Sequence, residues 1–154
     1  MASPAAVAVV TGAFLSGVMM NLFLLTIPVL LETSSSSTHL LRQWNLIFYR
    51  GHIQGPLISI ATSLIHMFAA WRSGERLFAV AGIVTTSMIP YTWIIMRNVN
   101  SALFEAVQWS DHEKETRSEE VAGLVAAWSR YNAVRAMFPL CGAVMGMTLL
   151  VLKG

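Results

Sequence analysis

The sequence predicts an all-α fold, in which an integral membrane protein forms an antiparallel four-helix bundle. Of its 154 residues, 55% are hydrophobic and 12% are charged, whereas a soluble domain has roughly 25% charged residues. The apolar residues form four blocks, each near the roughly 20 residues that a helix needs to cross a hydrocarbon core. Short polar links join the blocks, which favours helices that alternate in direction. Because four such helices use most of the chain, we expect a single domain over residues 1–154.

The first predicted helix covers about residues 5–31 and is almost entirely apolar. Pro28 lacks a backbone N–H, so we expect it to kink or end this helix. The chain starts without the basic segment of a secretory signal, and the apolar run exceeds the roughly 7 to 15 residues of a signal core. We therefore expect the first helix to be retained. A flexible polar loop is predicted at residues 34–38, where serine predominates.

The second predicted helix covers about residues 45–71, with Trp44 and Trp71 at its two ends. Tryptophan favours the headgroup level of a bilayer, which supports these limits. A charged turn at residues 72–76 leads to the third helix, about residues 77–97, which includes Pro90.

The stretch 98–118 is predicted to be a polar loop that contains a short amphipathic helix ending near Trp109. The fourth helix then covers about residues 119–152. At 1.5 Å per residue, this helix is about 50 Å long, whereas a hydrocarbon core is about 30 Å thick. Its first turns are therefore expected to project from the membrane.

The strongest indication of a functional site is a polar stripe on the fourth helix. Trp128, Asn132 and Arg135 lie at positions i, i+4 and i+7, which share one helix face. A charged side chain at the centre of a bilayer costs about 3 kcal/mol, so we expect Arg135 to face the interior. Two purely structural alternatives are that Arg135 extends its guanidinium group to the membrane surface or that it pairs with Glu105.

The same stripe continues through Gly142 and Gly146, which have the GxxxG spacing of closely packed membrane helices. Stripes of this kind serve helix packing more often than ligand binding. We expect this pair to permit close helix approach, with a homo-oligomer formed through it as one outcome.

The predicted topology brings polar residues from three helices to one end of the bundle, because the first and third links lie on the same side. These residues are His52, Thr92, Asn98, Asn100, Asn132 and Arg135. Aromatic residues at the same level are Tyr49, Trp93, Trp128 and Tyr131. Such a mixture is typical of a pocket with an aromatic wall and a few oriented polar groups. Counting Lys and Arg near the helix ends favours the cytoplasm for this side.

Composition also argues against several other functions. The formal net charge is +2, and the basic residues are scattered, so nothing indicates nucleic-acid binding. Cys141 is the single cysteine, which excludes an internal disulfide. The four histidines form no HxxxH or HExxH pair, so we expect no metal site unless ligands converge from distant positions.

Three groups of residues carry a resemblance to a known family. They are Tyr49-Arg50-Gly51-His52 followed by Pro56; Ile89-Pro90-Tyr91-Thr92 followed by Asn100 and Leu103; and Trp128, Asn132, Arg135, Pro139 and Gly142. In these positions the chain resembles the anthrone oxygenase family, small four-helix membrane proteins associated with fungal aromatic polyketide pathways. The similarity covers nearly the whole chain, although each motif is short.

The resemblance implies that molecular oxygen, as co-substrate, oxidises an anthrone to an anthraquinone without flavin, haem or another cofactor. His52 is then the expected general base, and Asn100, Asn132 and Arg135 hold the enolate and peroxide oxygens. The expected substrate-binding residues are Trp128, Tyr131, Trp93, Thr92, Asn98 and Tyr49.

The expected partners are a small aromatic polyketide and membrane lipid, and the expected location is the endoplasmic reticulum or another internal membrane. Two alternatives stay open at this point. One is a metal- or haem-dependent membrane oxidase, and the other is a non-catalytic four-helix membrane protein for assembly or transport.

Overall fold

The computed structural model describes residues 3–153, which form eight α-helices and no β-strand. The helices are α1 (Pro4–Asn21), α2 (Ile27–Thr33), α3 (Ser37–Ser73), α4 (Arg76–Thr86), α5 (Met88–Ile94), α6 (Arg97–Gln108), α7 (Asp111–Thr116) and α8 (Ser118–Lys153). A five-residue π-helical segment, Leu22–Thr26, joins α1 to α2. The predicted all-α class is therefore confirmed.

Four helical stretches in the described range are long and apolar enough to cross a membrane. They are Pro4–Thr33, Ser37–Ser73, Arg76–Ile94 and Ser118–Leu152. Their number and order agree with the four predicted helices. The first consists of α1, the π segment and α2, and the third consists of α4 and α5.

Pro28 does not end the first helix, which continues to Thr33. The distortion precedes the proline, where the N–H of Ile27 donates to the carbonyl of Leu22, five residues earlier. Because the ring of a helical proline crowds the carbonyl four residues before it, a wider π turn makes room for Pro28 without interrupting the helix.

The helix α3 begins at Ser37, eight residues before the predicted start at 45. Ser36 caps it, since its Oγ accepts a hydrogen bond of 3.2 Å from the N–H of His39. Leu40 and Leu41 are buried in the first turns. The predicted loop at 34–38 is therefore too long, and only residues 34–36 lie outside the helices. At its other end α3 terminates at Gly74, whose φ of +74° suits the left-handed cap of a helix.

The third predicted helix is divided, because the α-helical pattern breaks at Ser87 between α4 and α5. Pro90 lies three residues later and cannot donate a backbone hydrogen bond, which explains a break at this point.

The predicted polar loop at 98–118 is mostly helical, and only its amphipathic helix was anticipated. The helix α6 buries Val99, Leu103 and Ala106 on one face. A capping box starts α7, in which Glu113 N–H donates to Ser110 Oγ (3.3 Å) and Ser110 N–H donates to Glu113 Oε2 (2.9 Å). Hydrogen bonds from the Ser110 side chain and backbone lower the pKa of the Glu113 carboxyl.

Glycines allow α8 to lie close to its neighbours within the chain. A Cβ added at Gly142 would collide with the Thr85 hydroxyl and the Ala81 carbonyl of α4, and one at Gly146 would meet Val9 and His66. Both glycines are therefore covered inside the same chain. Close packing within the chain is thus the role that this placement gives the two glycines, and the homo-oligomer expected through Gly142 and Gly146 stays a prediction.

The buried apolar residues form three clusters, named here by their order along α8. The upper cluster joins α2, α3, α6 and α8, and contains Ile27, Leu40, Leu41, Trp44, Met96, Val99, Leu103, Ala106, Val121, Val125 and Trp128. The middle cluster contains Leu15, Met19, Met88 and Ala136. The lower cluster contains Ala5, Ala69, Phe78 and Leu149. The candidate site lies between the upper and middle clusters.

Candidate active site

A cavity of about 510 Å³ lies between α3, α5, α6 and α8, a volume typical of small-molecule sites. Its wall is mostly apolar and aromatic, with a small number of polar side chains. The lining residues are Leu22, Ile47, Phe48, Gly51, His52, Pro56, Ile89, Thr92, Trp93, Met96, Arg97, Asn100, Ser101, Phe104, Trp128 and Arg135. Six of the ten predicted site residues are brought together here, namely His52, Thr92, Trp93, Asn100, Trp128 and Arg135.

Arg135 places a buried cation in the cavity wall. Arg135 as a whole is only 8% exposed, and the Nη1 atom of its guanidinium donates to Thr92 Oγ1 at 3.3 Å. Its Nε has no hydrogen-bond partner. The ion pairs formed among residues 3–153 are Lys114–Asp111 and Arg117–Glu120, so no described carboxylate neutralises Arg135. Because an unpaired buried charge is unfavourable, the guanidinium is arranged for an anionic or polar ligand.

This geometry decides between the earlier alternatives for Arg135. The side chain neither extends to the surface nor pairs with Glu105, which is exposed. The expectation that Arg135 faces the interior is therefore correct.

Thr92 holds the guanidinium from the neighbouring helix. Its own hydroxyl donates to the carbonyl of Met88 at 2.8 Å, which leaves the Oγ1 lone pairs free to accept from Arg135. The position of Arg135 thus depends on α5, the short helix that follows the break at Ser87.

His52 lies on α3 with its ring stacked on Phe48, the ring centroids 5.5 Å apart and the planes inclined by 11°. Its Nδ1 lies 3.2 Å from the carbonyl oxygen of Phe48. A carbonyl only accepts hydrogen bonds, so we assign the proton to Nδ1. Nε2 then carries the lone pair that a general base requires.

Three aromatic rings, with a fourth ring packed behind them, form one side of the site. Phe48 and Phe104 meet edge to face with centroids 4.9 Å apart, and Trp128 is held edge-on by Trp44 at 6.0 Å. Trp44 is completely buried and does not line the cavity. Rings packed in this way give a rigid wall suited to a flat aromatic ligand.

Two further polar atoms in the wall have no partner within the chain. They are the Nε1 donor of Trp128 and the Oδ1 acceptor of Asn100. Buried polar groups are usually hydrogen-bonded, so these atoms, together with Nε of Arg135, are hydrogen-bonding groups that the chain itself leaves unused.

Asn132 does not line the cavity, which corrects its predicted role in holding substrate oxygens. It is completely buried, and its Nδ2 donates to the carbonyl of Trp128 in the same helix at 3.0 Å. Successive helical residues turn by about 100°, so Arg135 lies about 20° from Trp128 around α8. Asn132 lies about 40° from Trp128 in the opposite direction around the helix, outside the cavity lining.

Three predicted substrate-binding residues are also absent from the cavity lining, and all three are exposed. Tyr131 is exposed on the outer face of α8, and Asn98 is exposed on α6. Tyr49 is exposed as well, and it contacts the wall only from outside, with its ring 5.6 Å from His52 and 6.4 Å from Phe104.

Of the four α6 residues that line the cavity, the sequence predicted only Asn100. Arg97, Ser101 and Phe104 line the cavity, and all three fall in or beside the stretch that was interpreted as a polar loop. The signal was the spacing of Val99, Leu103 and Ala106, which identifies the buried face of α6 and therefore its flank. Phe48, which lines the cavity from α3, is a further site residue absent from the prediction.

His66, which also lies on α3, is away from the cavity. It is completely buried beside Gly82, Gly146 and Phe78, and neither ring nitrogen has a partner. In the described part of the chain, no three His, Cys, Asp or Glu side chains are grouped closely enough to hold a metal ion.

Comparison with known proteins places the chain in a family. A sequence model described as anthrone oxygenase matches residues 44–145. Monooxygenase hypC of Dothistroma septosporum is 56% identical over 144 residues, covering 90% of this chain and 78% of that protein. Noranthrone monooxygenase of Aspergillus flavus is 48% identical over 147 residues, covering 92% of this chain and 70% of that protein.

A third relative is similar over almost the full length of both proteins. An anthrone oxygenase of Paecilomyces divaricatus is 38% identical over 152 residues, covering 94% of this chain and 93% of that protein. No solved structure matches the chain. The match to residues 44–145 spans the helices that line the cavity, and together with these identities it shows that the chain belongs to the anthrone oxygenase family.

Proposed function

We propose that this chain oxidises an anthrone to an anthraquinone with molecular oxygen in the cavity between α3, α5, α6 and α8. The observation that carries the proposal is the buried guanidinium of Arg135, which has no described carboxylate partner and faces an aromatic cavity. An anthrone is flat and apolar, and it becomes an anion when its central methylene loses a proton. The cavity offers both the aromatic wall and the cation that such an anion needs.

In the proposed first step, Nε2 of His52 removes a proton from the methylene carbon. The negative charge moves onto the carbonyl oxygen of the resulting enolate. Nε of Arg135 and Nε1 of Trp128 are the unpartnered donors that would stabilise this oxygen. The wall formed by Phe48, Phe104 and Trp128 holds the ring system.

In the following steps the enolate is the reductant. It gives electrons to dioxygen, a C–O bond forms at the former methylene carbon, and the His52 proton completes a hydroperoxide. Loss of the second C–H proton with cleavage of the O–O bond leaves a carbonyl group and releases hydroxide, which leaves as water. One anthrone and one dioxygen thus give one anthraquinone and one water.

We also propose that this chemistry needs no metal, flavin or haem. The support is the substrate itself, because a deprotonated anthrone is electron-rich enough to reduce oxygen directly. Asn100 completes the polar set, since its Oδ1 can accept from the hydroperoxide or from a hydroxyl group of the substrate.

We also propose that this chain is an integral membrane protein built as an antiparallel four-helix bundle. Its support is the set of four long apolar helices and the order of contacts between α3 and α4. Ser59 Oγ donates to the Thr85 carbonyl, and further along α3 His66 lies against Phe78. Residue numbers therefore rise along α3 as they fall along α4, as in antiparallel helices. The substrate then reaches the protein through membrane lipid, in the endoplasmic reticulum or another internal membrane.

Oxygen uptake by membranes that contain the protein tests the proposal. Addition of an anthrone should start uptake, and Arg135→Ala should stop it, whereas Arg130→Ala, an exposed arginine on the same helix, should leave it unchanged. No uptake by the wild-type protein with any of a panel of anthrones would refute the proposed function.

A further inference from the structure

Packed side chains border the cavity at both ends along the bundle. Met96 and Trp128 line it and belong to the upper cluster, which packs α2, α3, α6 and α8 together above the site. Ile89 lines it from below and packs against the middle cluster. Tight packing at both ends leaves no route for a flat aromatic molecule along the bundle axis.

The exposed part of the wall lies on one side only. Trp93 of α5 is 75% exposed, and His52 of α3 and Arg97 and Ser101 of α6 are also exposed. On α8, in contrast, both lining residues are buried. The cavity therefore opens sideways between α3 and α5–α6, and this gap is called here the lateral opening.

The surface around the lateral opening is apolar on its lower side. Ile53 and Leu57, which follow His52 on α3, are exposed there. Ile94 and Ile95, which follow Trp93 at the end of α5, are exposed as well. Arg50 and Arg97 lie on its upper side. Residues 51–71 and 77–96 contain no Asp, Glu, Lys or Arg, and each stretch is about 30 Å long as a helix. If these stretches match the hydrocarbon core, the lateral opening lies at its boundary with the headgroups.

We infer that substrate enters, and product leaves, through this lateral opening directly from the lipid bilayer. The inference rests on the proposed function and adds the route and the class of ligand. The ligand is a flat aromatic amphiphile dissolved in the bilayer with its polar edge at the headgroup level. It keeps that orientation on entry, because Arg97 and Ser101 lie on the polar side of the opening and Pro56 and Ile89 lie on the apolar side.

Gly51 makes the lateral opening testable without damage to the fold. It lines the cavity, and a Cβ added there would meet no atom within 4 Å. Larger side chains at this position should therefore narrow the opening while the helix is kept, since residues other than glycine favour a helix. Gly17 on α1 is the control, because it too has nothing within 4 Å of an added Cβ but does not line the cavity.

The experiment measures binding of anthraquinone to the full chain in phospholipid vesicles, by stopped-flow quenching of tryptophan emission. Gly51→Ala, Gly51→Leu and Gly51→Phe should slow both association and dissociation progressively. We expect about tenfold for Leu, which corresponds to an added barrier of about 1.4 kcal/mol. Gly17→Leu should leave both rates unchanged. Equal rates in all four variants, or a rise in Kd through dissociation alone, would overturn the inference.

A second measurement identifies the source of the ligand. Phospholipids brominated in the upper acyl chain should quench the emission component that is lost in Trp93→Phe. Quenching of that component by aqueous iodide instead would show that the opening faces water and would overturn lipid entry. Because neither measurement uses turnover, vesicles that bind anthraquinone by this route but consume no oxygen with anthrones would refute the proposed function and leave the lateral opening standing.

Discussion

Nη1 of Arg135 on α8 donates to Oγ1 of Thr92 on α5 across 3.3 Å, and the same threonine donates to the Met88 carbonyl. This pair fixes the direction of the one buried guanidinium in the cavity wall. It also leaves Nε of Arg135 without a partner in the chain. The first two predictions concern the two members of this pair.

Arg135→Ala should lower kcat by about a hundredfold to a thousandfold, the effect of losing one donor to a developing oxyanion. The protein should still accumulate in membranes, because alanine favours a helix and removes a buried charge. Oxygen uptake normalised to membrane-bound protein measures the effect. Activity within twofold of the wild-type value would exclude Arg135 from the reaction.

Thr92→Val should lower kcat by about tenfold, because it keeps the side-chain shape but removes the acceptor of Arg135. Hydrogen bonds to charged groups contribute about 1.5–3 kcal/mol. Thr92→Ser keeps the hydroxyl and should retain most of the activity. Equal losses in the Val and Ser variants would show that packing, rather than the hydrogen bond, matters at this position.

His52→Gln should reduce turnover by about a hundredfold or more, the usual effect of removing an acid-base group. His66→Gln should affect turnover much less, because His66 is buried away from the cavity. Its effect should appear in the thermal stability of the protein instead. Similar losses of turnover per folded molecule in both variants would reject His52 as the base.

Gly142→Ala should destabilise the protein by about 1–3 kcal/mol, the range for overpacking a tight contact. The new Cβ would collide with Thr85 and Ala81 of α4. Gly123→Ala is the control, since Gly123 is exposed on the same helix and has open space around it. Thermal unfolding in detergent compares the two, and equal stability would contradict the close approach of α8 to α4.

The proposed use of the enolate as reductant predicts activity that survives chelators and needs no reduced nicotinamide. With labelled oxygen gas, one labelled atom should remain in the new quinone carbonyl and the other should leave as water. Haem or copper bound in stoichiometric amount, with activity that follows its removal and return, would replace this mechanism with that of a metal-dependent oxidase.

The four long apolar helices could be predicted because each has a continuous apolar pattern of sufficient length. The full contribution of α6 could not, beyond Asn100, since polar residues dominate its composition and only a stripe of three buried positions shows that it packs. The same distinction applies within α8. Position in a stripe predicted that Arg135 faces inward, but a difference of about 60° around the helix, at about 100° per residue, separates it from Asn132. Which of the two reaches the cavity depends on the placement of α5 and α6, which no local pattern contains.

The π-helical segment Leu22–Thr26 sets the rotational phase of the first long helix. A π turn takes up one more residue than an α turn, so Met19 and Ile27 are offset as if seven α-helical positions, nearly two whole turns, separated them. If the eight positions from Met19 to Ile27 were α-helical throughout, without the π turn, Ile27 would point roughly a quarter-turn away from the face that carries Met19. With it, one unbroken helix supplies Met19 to the middle cluster, Leu22 to the cavity wall and Ile27 to the upper cluster. The helix thus stays in register with the bundle both below and above the site.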